Sequence, residues 1–372
     1  MMTDNRRWRW IAPGVVGAAI AATALVTTSA AASKPKLPSR TAGQLLAAVQ
    51  EVKVPGFSGT IVQTSRLGIS GLPTAVGDAT LSWQSFASGS RQLRIWQAGP
   101  DHQRVALLGQ VAESDIVHNG RDVWSYSSST RAVTHAVLPG EKTGKPATAP
   151  VVPSVTPQQA ADQVLRAMAA TTMVTVDRTA RVAGRAAYQL VLTPRDGHTL
   201  VGSVQLALDS QTSLPLRVRI FARGGKKPAF EVGFTELRMR TPAANVFRFV
   251  PPAGTKVKQQ NLQGLAPDPA AASKHRVIPG SGEGNTPRTI GAGWTSVLVL
   301  NAGDMLTGSS QPAGGAKRGA TATLDRLTTR VTGGRLLTSA LVSALIKDDG
   351  TVYIAALSGA DLQKVAATGR PL

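Results

Sequence analysis

The chain reads as mainly β within an α+β class. It predicts one large antiparallel sheet that must curl or split, two amphipathic helices to cover it, and a small α+β unit at the C-terminal end. Three observations predict this. Segments of alternating apolar and polar residues recur between Phe57 and Met239 with turn signals between them. Only two stretches, one just before that range and one within it, carry helical spacing. A sheet of about a dozen strands rarely stays flat and must bury its apolar face against something.

The elements follow in order. Arg6, Arg7 and Arg9 precede an uncharged stretch from Ile11 to Val26 and small residues at Ala30 and Ala32. This is the basic, apolar, A-x-A layout of an export signal over residues 1–32, with an uncleaved anchor as the competing reading. Thr41–Val52 sets Leu45, Leu46, Val49 and Val52 at helical spacing behind a Thr41 cap. Strands are expected at Phe57–Ser65, Ala79–Phe86, Ser90–Gln97, Arg104–Gln110, Ile116–His118, Arg121–Ser127 and Ala132–Val137. Asn119-Gly120 is a hairpin turn signal.

A Pro/Gly-rich loop runs from Pro139 to Pro153. A second helix then starts with Thr156 capping and Pro157 at its first position, and it presents Ala161, Val164, Leu165 and Met168 on one face. Strands resume at Met173–Thr179, Arg185–Thr193, Ser203–Asp209, Leu216–Ala222 and Ala229–Met239. Four of them repeat one pattern: Tyr188, Leu190 and Leu192; Val204, Leu206 and Leu208; Leu216, Val218 and Ile220; Phe230, Val232 and Phe234. Residues 259–289 are polar and aperiodic, a linker between a main domain at 33–258 and a unit at 290–372. In that unit Leu336–Ile346 reads as one long strand with both faces apolar, and Asp348–Gly350 as a turn. A helix capped by Ser358 with Asp361 three residues on follows. A strand apolar on both faces needs cover on each side, so the unit is expected to pack on the main domain.

Composition narrows the partners. The 372 residues carry 41 Lys plus Arg against 21 Asp plus Glu, a net charge of +20, and roughly +18 remains without residues 1–32. Such a charge favours an anionic membrane surface or acidic wall polymers, and export argues against nucleic acid. With no cysteine there is no disulfide, thiol nucleophile or thiolate metal site. The five histidines, His102, His118, His135, His198 and His275, are scattered with no H-x-x-x-H pair. They read as exposed residues rather than a metal site. No G-x-S-x-G appears, and Gly282 and Gly284 lack the strand and helix a phosphate loop needs. The expectation is a protein that is not an enzyme and takes no cofactor.

Beyond the signal, the order of GFSGTIVQ, NGRDVWSYSSSTRAVTH, a Pro-initiated helix, SVQLALDSQTSLPLRVRIFARGG and FRFVPPAGT resembles the LolA-like lipoprotein-carrier superfamily, including the RseB/MucB-type N-terminal domain. The hairpin holding Asp209, Leu214 and Pro215 is its most specific piece, with Phe247–Thr255 second. The resemblance spans about 220 residues and stops before Asn261. It implies an unclosed antiparallel β-barrel with a helical lid and an apolar cavity for acyl chains, in proteins that ferry lipoproteins or sense lipid. In the carriers a cavity arginine bonds to the lid; the sequence alone does not choose among Arg66, Arg91 and Arg94, so none is carried over.

The expected lipid-contacting residues are Leu45, Leu46, Val49, Val164, Leu165 and Met168 in the lid, with Trp83, Trp96, Trp124, Leu190, Leu206, Val218 and Val232 on strands. The bland reading makes the tryptophans ordinary core. Burial of a fifteen-carbon chain is worth about 12 kcal/mol gross at about 0.8 kcal/mol per methylene, much as in a bilayer, so small lid and headgroup effects set the direction of transfer. The expected partners are an acyl lipid or lipoprotein, an anionic membrane surface, and a membrane transporter or regulator. Two alternatives stand beside the carrier or sensor: a secreted wall-polymer- or anionic-surface-binding protein with a filled core, and an RseB-like regulator of envelope-stress signalling.

Overall fold

The computed structural model describes residues 35–50, 52, 54–69, 87–109, 112–138, 168–261, 287–301 and 325–372. The stretches expected to form an export signal and the Ala79–Phe86 strand, and most of the stretch expected to form the second helix, lie outside the described residues.

Helix α1 (Ala42–Gln50) precedes β1 (Phe57–Arg66), β2 (Ser88–Gln97), β3 (His102–Leu108), β4 (Glu113–Asn119), β5 (Asp122–Ser127) and β6 (Ala132–Val137). Further along come β7 (Thr172–Val182), β8 (Arg185–Pro194), β9 (Val201–Asp209), β10 (Pro215–Ala222), β11 (Pro228–Arg238) and β12 (Lys256–Asn261). These twelve strands form one open sheet in the order β12-β6-β5-β4-β3-β2-β1-β11-β10-β9-β8-β7. Every pairing is antiparallel except β12 on β6, which is parallel. The sheet is not closed into a barrel. Bulges at Asp177/Ala180, Pro215/Arg217 and Thr60/Ile61 bend it, and the end of β7 comes back to β11, four strands along. Gln259–Asn261, expected in the linker, instead belong to β12. The cause is non-local: β6 offers a free edge that only the folded sheet creates.

The Asp209 hairpin shows why its residue types recur together. Ser213 takes a left-handed φ of 59°, and its N–H donates to the Asp209 carbonyl at 2.9 Å. The Asp209 carboxylate, 1% exposed, accepts from the Thr212 N–H at 2.9 Å and the Thr212 hydroxyl at 2.8 Å. It also accepts from Arg185 Nε at 2.7 Å and Nη2 at 2.8 Å. Burial opposes the charge, but the Arg185 and Thr212 hydrogen bonds outweigh it and hold this carboxyl below the usual range. Asp209 thus ties the turn between β9 and β10 to the start of β8.

The C-terminal unit is a six-stranded sheet ordered β13 (Arg288–Ile290), β14 (Val297–Asn301), β18 (Thr351–Ala355), β17 (Ser343–Lys347), β16 (Gly334–Thr338) and β15 (Thr329–Val331). Helix α2 (Gly359–Thr368) lies on it, burying Leu362 and Val365 among Val297, Val299, Leu345 and Tyr353. The Ser358 hydroxyl caps α2 by accepting the Asp361 N–H at 3.1 Å. Leu336–Ile346 is not one strand. Ser339 turns it, its hydroxyl donating to the Val342 carbonyl at 2.7 Å and accepting the Val342 N–H at 3.0 Å, so β16 and β17 form a hairpin. In that hairpin Leu336 and Leu345 are opposed on the core side, Leu337 and Ala344 are opposed on the other side, and Ala340–Val342 lie in the turn.

That turn meets the large sheet. Leu341 is buried with Val201 and Ala229, and Ala340 and Trp294 pack in the same group. The Ala340 N–H donates to the Leu67 carbonyl at 2.7 Å, the Leu200 N–H to the Ala356 carbonyl at 2.8 Å, and Trp294 Nε1 to the Thr172 hydroxyl at 2.7 Å. The unit packs on the main sheet as expected, although the long strand that suggested it does not exist.

Candidate functional site

Cross-strand register assigns each side chain to a face, because directly opposed residues in a ladder project to the same side. One row runs Val176, Leu190, Leu206, Val218, Val232, Gln63 and Arg91 across seven strands. The next runs Leu192, Val204, Ile220, Phe230 and Ser65. These rows are the greasy face expected from the alternating strands.

Two covers lie on this face. Leu45 of α1 is buried with Tyr188, Leu190 and Leu208, and Leu46 and Val49 pack beside Leu192 and Leu206. A reciprocal cap starts α1: Thr41 Oγ1 accepts the Gln44 N–H at 3.2 Å, and Gln44 Oε1 accepts the Thr41 N–H at 2.9 Å. The segment before α1 is tied down where the Tyr188 hydroxyl donates to the Pro38 carbonyl at 2.9 Å and Thr179 Oγ1 to the Pro35 carbonyl at 2.5 Å. The second cover is the C-terminal unit over Val204, Ile220 and Phe230. Between the covers stand Val218 and Val232, both half-buried and in neither packed group. Beyond them the row turns polar at Gln63, 2% exposed, and Arg91.

The structure thus brings together Leu45, Leu46, Val49, Leu190, Leu206, Val218 and Val232. Trp96 and Trp124 do not join them, which corrects the expectation for both. They share a row with Arg104, Val117, His135 and Gln259 on the opposite face. There Trp124 stacks on His135 at 3.9 Å between centroids and packs on Phe249, while Trp96 lies under the Arg104 guanidinium at 5.4 Å. Phe247, 1% exposed, meets His102, and Arg104 donates to Asp115 at 2.5 Å. The FRFVPP segment therefore folds back as the cover of this aromatic face. His135, expected exposed, is enclosed: its Nε2 lies 2.7 Å from Asp122 Oδ1 and its Nδ1 3.0 Å from Gln259 Oε1.

Trp83, Val164 and Leu165 lie outside the described residues, and Met168 is half-buried beside the start of β7. Of the three candidate arginines, Arg91 projects to the face that carries α1. Arg94 opposes Thr60 on the other face, and Arg66 reaches the Pro228 carbonyl at the rim, 3.3 Å away. Parity in RQLRIW could have separated Arg91 from Arg94 and Trp96, once the register with β1 was known.

Two clefts open on the face opposite α1. One, of about 240 Å³, is lined by Ser58, Thr60, Arg94, Trp96, Glu236 and Arg238. The other, of about 320 Å³, lies where the β7 end meets β10, β11 and β1. Among the described residues, no group of three His, Asp or Glu could hold a metal ion, and no helix is long and apolar enough to cross a membrane.

Residues 88–262 match the family model of the MucB/RseB N-terminal domain. Among solved structures the chain is similar to the crystal structure of MucB, at 17% identity over 84% of this chain and 90% of that one, TM-score 0.40. It is also similar to the Pseudomonas aeruginosa MucA/MucB complex, at 18% identity over 87% and 96%, TM-score 0.43. A LolA superfamily protein from Nitrosomonas europaea aligns at 13% identity over 57% and 99%, TM-score 0.21. No curated protein matches the chain.

Proposed function

We propose that the chain, whose residues 88–262 match the MucB/RseB N-terminal domain model, is an exported carrier or sensor that holds acyl chains without catalysis. The observation that carries this reading is the apolar row from Leu190 through Leu206 and Val218 to Val232. It is covered at one end by α1 and alongside by the C-terminal unit, with Val218 and Val232 half-buried between them. An acyl chain laid along this row would exchange lipid contacts for side-chain contacts at little net cost, and the Gln63–Arg91 end offers polar groups to a headgroup. The net charge of +20 favours delivery from an anionic membrane surface.

The test is uptake of a fluorescent fatty acid. Leu206→Arg and Val218→Arg should each abolish uptake while far-UV dichroism stays native. Uptake that survives both substitutions, or a wild-type protein that takes up nothing, rejects the reading. The match to the MucB/RseB model favours a second reading, an RseB-like regulator that binds a membrane-associated protein partner, in which the row serves as the lipid sensor.

A further inference from the structure

The cleft between the β7 end and strands β10, β11 and β1 is on the face opposite the acyl row. Its walls are Val62, Val182 and Phe234 on the apolar side and Arg181, Arg217 and Glu231 on the charged side. The three cations near it are not equivalent. Arg181 Nη1 donates to the Gly184 carbonyl at 2.9 Å. Arg219, next in the ladder, donates to Gln189 Oε1 at 3.2 Å and stands directly across from Glu231. Arg217 is half-buried, and among the described residues no hydrogen bond or ion pair holds its guanidinium. Burial and then the neighbouring Arg219 lower its pKa, with Glu231 acting the other way.

The fold makes room for this arginine. Arg217 opposes Gly233, and a Cβ placed on Gly233 would stand 2.8 Å from Arg217 Cγ and 3.0 Å from its Cβ. The missing side chain at Gly233 is what lets the arginine stem lie across β11. A guanidinium in this position, half out of water and without a partner, fits the paired oxygens of one carboxylate. Glu231 in the same wall disfavours a second negative charge on the ligand. The apolar walls favour a short hydrocarbon group beside the anion.

From this arrangement we infer that the cleft is a second binding site, specific for a monoanionic carboxylate that carries a small apolar group, with Arg217 as its bidentate partner. The carboxylate could belong to a free alkyl acid or to a glutamate side chain of a protein. The chemistry is shared, and two probes separate the sources. Hexanoate and acetyl-glutamate amide are titrated by calorimetry into the full chain, with hexylammonium and inorganic phosphate in parallel.

At least one carboxylate should bind, the tighter of the two identifying the source. Binding should weaken at least tenfold in Arg217→Gln. Gly233→Ala keeps the charge but displaces the stem, and it should weaken binding by a similar factor, so the inference does not hang on one variant that must fold. Absence of carboxylate binding at millimolar concentration overturns the proposal, as does unchanged affinity in both variants. Hexylammonium binding as well as hexanoate, or phosphate binding more tightly than either carboxylate, also overturns it. Loss of hexanoate binding in Leu206→Arg would move that ligand to the acyl row, and the cleft would then have no assigned role even with the acyl reading intact.

Discussion

The two halves of the large sheet are closed in different ways. Strands β2 to β6 carry their aromatic face under Phe247 and Phe249, which come more than a hundred residues after β6 and are held there by β12, the edge strand of the same half. Strands β7 to β11 bury their apolar face under α1, which comes more than a hundred residues earlier, and under a separate C-terminal unit. The first half is closed by a segment that one of its own strands, β12, holds down; the second is closed by elements outside its strand order. The proposed acyl row lies on the half covered by elements outside its strand order, where a ligand would displace cover rather than core.

This comparison can be broken at three places, taken from the largest expected effect to the smallest. The hairpin that pins the second half depends on the buried Asp209–Arg185 pair. Asp209→Asn leaves Arg185 facing a neutral amide at a site 1% exposed, and it should lower stability by about 3–5 kcal/mol in urea or thermal unfolding at pH 7. The sign with pH follows from the depressed folded pKa. The carboxylate's contribution is fully present above its unfolded value, about 3.9, and is lost as pH falls towards the lower folded value. The gap between wild type and Asp209→Asn should therefore narrow progressively as pH falls below about 4. A gap that persists unchanged at pH 3 would mean the amide costs packing rather than charge.

The second place is the C-terminal cover. Leu341→Ala removes a buried side chain at the junction of the two sheets and should cost about 2–4 kcal/mol, with hydrogen exchange rising in β9, β10 and β16–β18 but not in β3–β5. Equal exchange in both halves would show that the sheet opens as one body and that the distinction between its halves is only geometric.

How much of this was legible beforehand depended on where each residue's partner lies in the sequence. The Ser203–Ile220 hairpin, α1 and its Thr41 cap, and the six-residue steps of β5 and β6 depend on neighbours within a few residues, and they read correctly. Trp96 and Trp124 did not. RQLRIW carries apolar side chains on both parities, so alternation cannot say which parity faces α1; pairing of Gln63 with Arg91 decides it, and those residues are 28 apart. Leu336–Ile346 failed for the opposite reason. Its turn uses Ser339 and no glycine, and the apolar residues on either side hid it. The Arg217 cleft was invisible because three strands and a distant hairpin tip build it, and its one local sign, Gly233 in mid-strand, reads as a weakness until Arg217 is seen lying over it.

The smallest effect tests the α1 cover itself. The Tyr188 ring belongs to the core under Leu45, but its hydroxyl reaches out to the Pro38 carbonyl, and Arg40 lies over the ring at 5.2 Å. Tyr188→Phe keeps the ring packing and removes a single hydrogen bond, so global stability should fall by only about 0.5–1.5 kcal/mol. Its effect on the cover should be larger in proportion. Without that anchor, and with Thr179 Oγ1 still on the Pro35 carbonyl, α1 should open more often. Exchange of the Leu45–Val49 amides should then rise several-fold, and uptake of a fluorescent fatty acid should become faster, while β3–β5 exchange stays as in the wild type. If α1 exchange rises and uptake does not change, α1 is a structural brace, and entry to the acyl row must lie under the C-terminal unit instead.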